Sequence, residues 1–124
     1  MHNNAPKYTQ AELGRFRKGL LKLLQDGPSN VGFGVCYNLT CELKPMPGFV
    51  WGAVYDFVAD AAEEWPHALR NDAGKLLDGF VPLTPGQGIW EGKNLKMRQN
   101  LIQYLLGHVA HHEALLRGGV ALAG

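Results

Sequence analysis

His108, His111 and His112 stand three and four residues apart in "HVAHH", near the end of the chain. On a helix that spacing gathers imidazoles on one face, a geometry able to take zinc or nickel. No carboxylate or cysteine ligand follows at a recognisable spacing, so the expectation is a titrating surface cluster and no metal. Arg98 is the most informative single residue. It lies three after Leu95 and three before Leu101, on the apolar stripe of the same segment. A guanidinium there must snorkel to solvent or meet a negative partner, because a buried, unpaired charge is strongly unfavourable. Two partners are open: an acidic ridge of Asp56, Asp60, Glu63 and Glu64, or an anionic ligand such as a phosphate, gripped by the forked donors of arginine.

Other side chains suit the same ligand chemistry. Trp65 and Trp90 bracket a long connection; each is either a packing anchor or a stacking platform for a planar ring. Arg70 and Lys93 nearby could add positive charge or remain solvated. In "GVCYNL", Asn38 either bonds to main chain or uses its amide, a donor and an acceptor, to read a ligand edge, with Tyr37 beside it. "PGQG" matches neither GxxxxGKS nor GxGxxG and points only weakly to a phosphate loop. Cys36 lies in an apolar run without a His/Asp companion and reads as core.

These residues need elements to position them. "TQAELGRFRKGLLKLLQDG" is an amphipathic helix: Thr9 and Glu12 make a capping box, and Leu13, Phe16, Leu20, Leu23 and Leu24 form its apolar face. Gly27-Pro28 ends it. Val31, Phe33, Val35 and Tyr37 alternate, which predicts a short strand or extended segment. Residues 49–65 read as a helix apolar over most of its circumference. Val50, Val54, Phe57, Val58, Ala61 and Trp65 form its stripe, widened by Trp51, Tyr55 and Ala62, which points to an oligomer interface. A long turn-rich connection over 67–89 follows, in which one short strand at 80–83 is expected. The last helix, 94–116, buries Leu95, Leu101, Ile102, Leu105, Leu106 and Val109; a glycine stop then leaves a tail.

The bulk properties bound the function classes. The 124 residues suit one domain, with 1–8 as a flexible start and 117–124 as a tail. A net charge of +1 with 19% charged residues is too balanced for nucleic-acid or membrane binding by charge alone. Cys36 and Cys41 lack CxxC spacing and read as reduced thiols in a cytoplasm. "MHNNAPKYTQ" is polar, so no secretory leader is expected, and no run approaches the length of a membrane span.

Four short motifs occur in one order: Gly34-Val35-Cys36-Tyr37-Asn38, Trp65-Pro66, "GFVPLTPG", and Trp90-Glu91-Gly92 with Arg98 ahead of "NLIQYLL". This arrangement resembles a family of small phage-encoded accessory proteins with G-(I/V)-C-x-N, W-P, Y/F-P-V-P-like and W-x-G-x5-R motifs. The chain departs from that pattern in "FVPL" and in the inserted "TCELKPMPG". The resemblance implies a tailed-phage origin and action in the host bacterial cytoplasm. By analogy of class, it implies countering host defence by sequestering a nucleotide-derived immune signal or by blocking a defence protein.

Together these readings predict a mainly helical α+β domain, with three principal helices, short extended segments and a long connecting loop. The expected function is non-catalytic binding of a small anionic, nucleotide-like ligand by a homo-oligomer without cofactor. Asn38, Tyr37, Trp65, Arg70, Trp90, Lys93 and Arg98 are the expected ligand-binding residues. The alternatives are an inhibitor docking on a host defence protein and a hydrolase of a nucleotide signal.

Overall fold

The computed structural model describes residues 7–26, 34–67, 69, 77 and 92–123, with the side chains of the last helix from 96 to 117. Among the described residues there are four helices: α1 (Gln10–Asp26), α2 (Val35–Leu43), α3 (Ala53–Glu64) and α4 (Gly92–Ala123). The capping box forms as the sequence predicts. The Thr9 amide donates to Glu12 Oε1 at 2.9 Å, and the Glu12 amide donates to Thr9 Oγ1 at 3.0 Å. Leu13, Phe16, Leu20 and Leu23 then face inward, the heptad-like stripe of an amphipathic helix.

The α+β expectation is overturned: the described residues contain helices and no strand. The extended segment predicted across Val35 and Tyr37 is instead the start of α2. Residues Val35, Cys36, Leu39 and Leu43 are buried, a spacing of one, four and eight that only a helix can present to one side. Tyr37 points outward at 38% exposure, so its alternation with Val35 carries no sheet face. Gly34, in extended conformation, serves as the N-cap, and Thr40 Oγ1 donates back to the Cys36 carbonyl at 2.9 Å. Val31, Phe33 and the 80–83 strand lie outside the described residues.

The turn from α2 to α3 uses left-handed backbone at Gly48 (φ 84°) and Gly52 (φ 90°), where a side chain would be strained. That turn starts α3 four residues later than the sequence suggests. Val54, Phe57, Val58 and Ala61 are buried, whereas Val50, Trp51, Tyr55 and Trp65 of the predicted stripe are exposed. A single core draws on all four helices, with Phe16 of α1 stacked on Phe57 of α3 at 4.3 Å.

α1 and α4 run antiparallel. Tyr8, just before α1, packs its ring edge on His112 at 5.0 Å; Arg17 pairs with Glu113; and Arg98 Nη1 reaches the Leu23 carbonyl. Of the start expected to be flexible, Lys7 and Tyr8 are described, and both bond to Asp60. At the other end α4 runs to Ala123, through the glycine pair predicted to stop it. Two helix-interior glycines cost about 1 kcal/mol each relative to alanine, too little to end a helix by themselves. Among the described residues, no helix is long and apolar enough to cross a membrane.

Two glycines of α1 should respond oppositely to substitution. A Cβ on Gly19 would stand 2.8 Å from Leu39 Cδ1 and 3.1 Å from Leu43 Cδ2, whereas one on Gly14 meets nothing within 4 Å. Gly14→Ala should therefore stabilise by about 0.5–1 kcal/mol. Gly19→Val should destabilise by about 1–3 kcal/mol through overpacking of α1 against α2. Urea denaturation of the two variants measures both.

Candidate functional site

The buried face of α4 carries charge and imidazole among its leucines. Arg98, His108, His112 and Glu113 are all buried, at 1%, 2%, 6% and 8% exposure. They fall into two places separated by Leu101, Ile102 and Leu105.

At the first place, Arg98 lies against the end of α1. Its Nη1 donates to the Leu23 carbonyl at 3.5 Å, a long bond to one of the last four carbonyls of that helix. A cation at a helix C-terminus is favoured by the macrodipole, which gives Arg98 a structural role. One weak bond does not satisfy five N–H donors. Among the described residues, Arg98 Nε and Nη2 are buried with no hydrogen-bond partner. Burial pushes the guanidinium below its ordinary pKa, though arginine remains charged. The acidic ridge expected as its partner does not come here.

Two members of that ridge lie instead at the second place. Asp60 and Glu64, one turn apart on α3, face His108 and His112, one turn apart on α4. His108 Nε2 is 3.3 Å from Asp60 Oδ2, and His108 Nδ1 is 3.5 Å from Glu64 Oε1. His112 Nε2 lies 3.4 Å from Glu64 Oε1 and 3.7 Å from Asp60 Oδ2. One ligand atom from each of the four residues can be chosen so that all lie within 4.8 Å of one another. The expected surface cluster of three histidines is therefore corrected. His108 and His112 are buried, while His111 is exposed and packs on the edge of Trp65 at 5.6 Å. A helix turns about 100° per residue, so neighbours at 111 and 112 cannot share the inward face equally.

The cluster is trimmed from outside. Lys7 Nζ sits 2.6 Å from Asp60 Oδ1 and 3.4 Å from Glu64 Oε2, and Tyr8 donates to Asp60 Oδ2 at 2.9 Å. Burial alone would raise Asp60; the bonds from Lys7 and Tyr8 and the positive charge of Lys7 outweigh it and hold the carboxyl below its usual range. Burial and the same anionic neighbours drive Tyr8 well above the ordinary phenol value. His108 is pushed down, chiefly by burial and then by His112, against the pull of Glu64 and Asp60.

The remaining expected ligand-binding residues are spread apart. Trp65, 38% exposed, caps α3 and donates its indole N–H to His108 Nδ1 at 3.2 Å. His108 is ten residues, or about 15 Å of helix, beyond Arg98, so Trp65 does not share a pocket with Arg98. Asn38 is buried, and its Nδ2 donates to the Gly34 carbonyl at 2.8 Å, a bond back across one turn of main chain. Tyr37 is on the outer side of α2, where the Cys41 thiol lifts its pKa. Arg70 and Trp90 lie outside the described residues, as does the side chain of Lys93. Cys36 is buried and Cys41 exposed, with no disulfide between them. Sequence reading missed Asp60 and Glu64 as partners of the histidines; their shared spacing of four, D-x3-E against H-x3-H, was the available signal.

Compared with protein-family models, curated proteins and solved structures, the chain has no match in any of the three.

The cluster makes stability depend on acidity. His108 has a folded pKa below its unfolded value of 6.5, so its contribution is fully present above that value and is lost as pH falls through and below it. Asp60, also depressed, adds a second loss only below about pH 4. The melting temperature should therefore fall between pH 7.5 and 5.5, and His108→Gln should flatten that fall. Differential scanning calorimetry at the two pH values tests it.

Proposed function

We propose that this chain binds and sequesters a small anionic, nucleotide-type ligand without chemically changing it, with Arg98 as the anchor for phosphate. The observation that carries the reading is the guanidinium itself, 1% exposed, with Nε and Nη2 lacking partners among the described residues. A charge in that position is stabilised by an anion that brings its own oxygens to the two open donors. Arg70, Lys93 and Trp90 are assigned to the same ligand from the sequence. Trp65 is not, because it serves His108. The motif resemblance supports a setting for this activity: a tailed-phage accessory protein in the bacterial cytoplasm that removes an immune signalling molecule.

Access to a guanidinium this buried requires neighbouring groups to part, so association should be slow for a small molecule. Calorimetry against cyclic dinucleotides, ADP-ribose derivatives and linear nucleotides should find one binder at least. Arg98→Met should abolish that binding and leave the ligand-free protein at least as stable, since an incompletely paired buried charge is replaced by a packed apolar chain. Absence of binding across the panel removes the reading. So does an Arg98→Met protein that retains the ligand.

A second reading has its own observation. Val50, Trp51 and Tyr55 are 60%, 70% and 63% exposed, close in sequence at the start of α3, with Lys44 over the Trp51 ring. Such exposed apolar side chains suit a protein partner, either a second copy of the chain or a host defence protein that the chain inhibits. Sedimentation equilibrium separates these. A self-associating protein should become monomeric on Trp51→Lys with Tyr55→Lys, whereas a monomer at all concentrations leaves those side chains to another protein.

A further inference from the structure

We infer that Asp60, Glu64, His108 and His112 form a binding site for one divalent transition-metal ion of the class that imidazole and carboxylate share, zinc foremost. The site is independent of any ligand at Arg98.

Three observations converge on it. The first is spacing. A tetrahedral ion with bonds of about 2.0–2.1 Å holds its ligand atoms about 3.4 Å from one another. His112 Nε2 lies 3.4 Å from Glu64 Oε1 and 3.7 Å from Asp60 Oδ2, while His108 reaches Asp60 Oδ2 through Nε2 at 3.3 Å and Glu64 Oε1 through Nδ1 at 3.5 Å. One ion takes one nitrogen of His108, and with one donor atom chosen from each residue all four lie within 4.8 Å of one another, so a modest inward movement of the two i,i+4 pairs gives tetrahedral spacing. The second is unsatisfied lone pairs. His112 Nε2 and Glu64 Oε1 are buried, face each other, and have no hydrogen-bond partner among the described residues. His112 is only 6% exposed, so water does not readily supply what is missing. A metal takes both lone pairs at once.

The third is charge and its support. With neutral histidines, the two carboxylates and Lys7 leave the cluster one negative charge in excess. Lys7 holds the outer oxygens, Asp60 Oδ1 and Glu64 Oε2, which leaves Asp60 Oδ2 and Glu64 Oε1 turned toward the imidazoles. Outer hydrogen bonds of this kind orient carboxylate ligands. Two imidazoles disfavour magnesium and calcium, which take oxygen donors.

The site carries its own reporter. The Trp65 indole N–H now donates to His108 Nδ1. If the metal takes Nδ1, that lone pair is gone. If it takes Nε2, a neutral imidazole places its proton on Nδ1 and faces the indole with a second donor. In both cases the Trp65 bond breaks on metal binding.

The test uses the full chain, stripped with chelator and titrated with zinc sulfate, read by native mass spectrometry, calorimetry and tryptophan emission. One zinc per chain is expected, with a rise in melting temperature and a change in emission that Trp65→Phe removes while binding persists. Glu64→Gln and His112→Gln should each weaken zinc by at least about tenfold, and His111→Ala should leave it unchanged. Magnesium at the same concentration should not bind. The inference is overturned if no stoichiometric zinc binds, if both substitutions leave affinity intact, or if magnesium binds as tightly. Glu64 is 27% exposed at its side chain, so Glu64→Gln decides the matter should His112→Gln not fold.

Discussion

Everything in this fold answers to one demand: the inward face of α4 is not purely apolar, and each of its polar groups must meet a complement from another helix. Glu113 meets Arg17, Arg98 meets the last turn of α1, and His108 with His112 meet Asp60 and Glu64. Leucines would allow α4 to slide or rotate at small cost, since hydrophobic contact is non-directional. Fixed charges do not, because any other register leaves one of them buried alone. The direction and register of α1 and α3 against α4 follow from these pairings as much as from the core itself.

The aromatic groups tie the two requirements together. Tyr8 lies edge-on to Phe16, Phe57 and His112 while its hydroxyl donates to Asp60. One side chain therefore closes the end of the core and completes the polar cluster. Phe57, with no exposed surface, touches both Phe16 and the ring of His108. Acidification that charges His108, or a change that disturbs this aromatic packing, is felt by both the core and the carboxylates.

The two ends of the α4 face differ in how they are served. Around His108 and His112 the described groups leave little polar need unmet except a pair of lone pairs aimed at one another. Around Arg98 the need is for acceptors, and among the described residues only a single long bond to main chain supplies one. Deficits of opposite sign call for opposite partners, a cation in one place and an anion in the other. Their separation along the helix means that neither compensates the other.

Much of the helical framework was legible in the residues. The Thr9–Glu12 box, the leucine stripe of α1, the inward run of α4 and the anomaly of Arg98 all follow from local spacing, and local spacing is what a chain encodes most directly. The alternation of Val31, Phe33, Val35 and Tyr37 misled over its second half, because Val35 and Tyr37 already belong to a helix, as the burial of Leu39 and Leu43 shows. The acidic ridge was visible as a ridge, but which wall it would face was not, since periodicity assigns residues to faces and never faces to neighbours. Only the packing of α3 on α4 decided that Asp60 and Glu64 belong to the histidines and not to Arg98, because side chains far apart in the chain interact only once tertiary contacts set the distances.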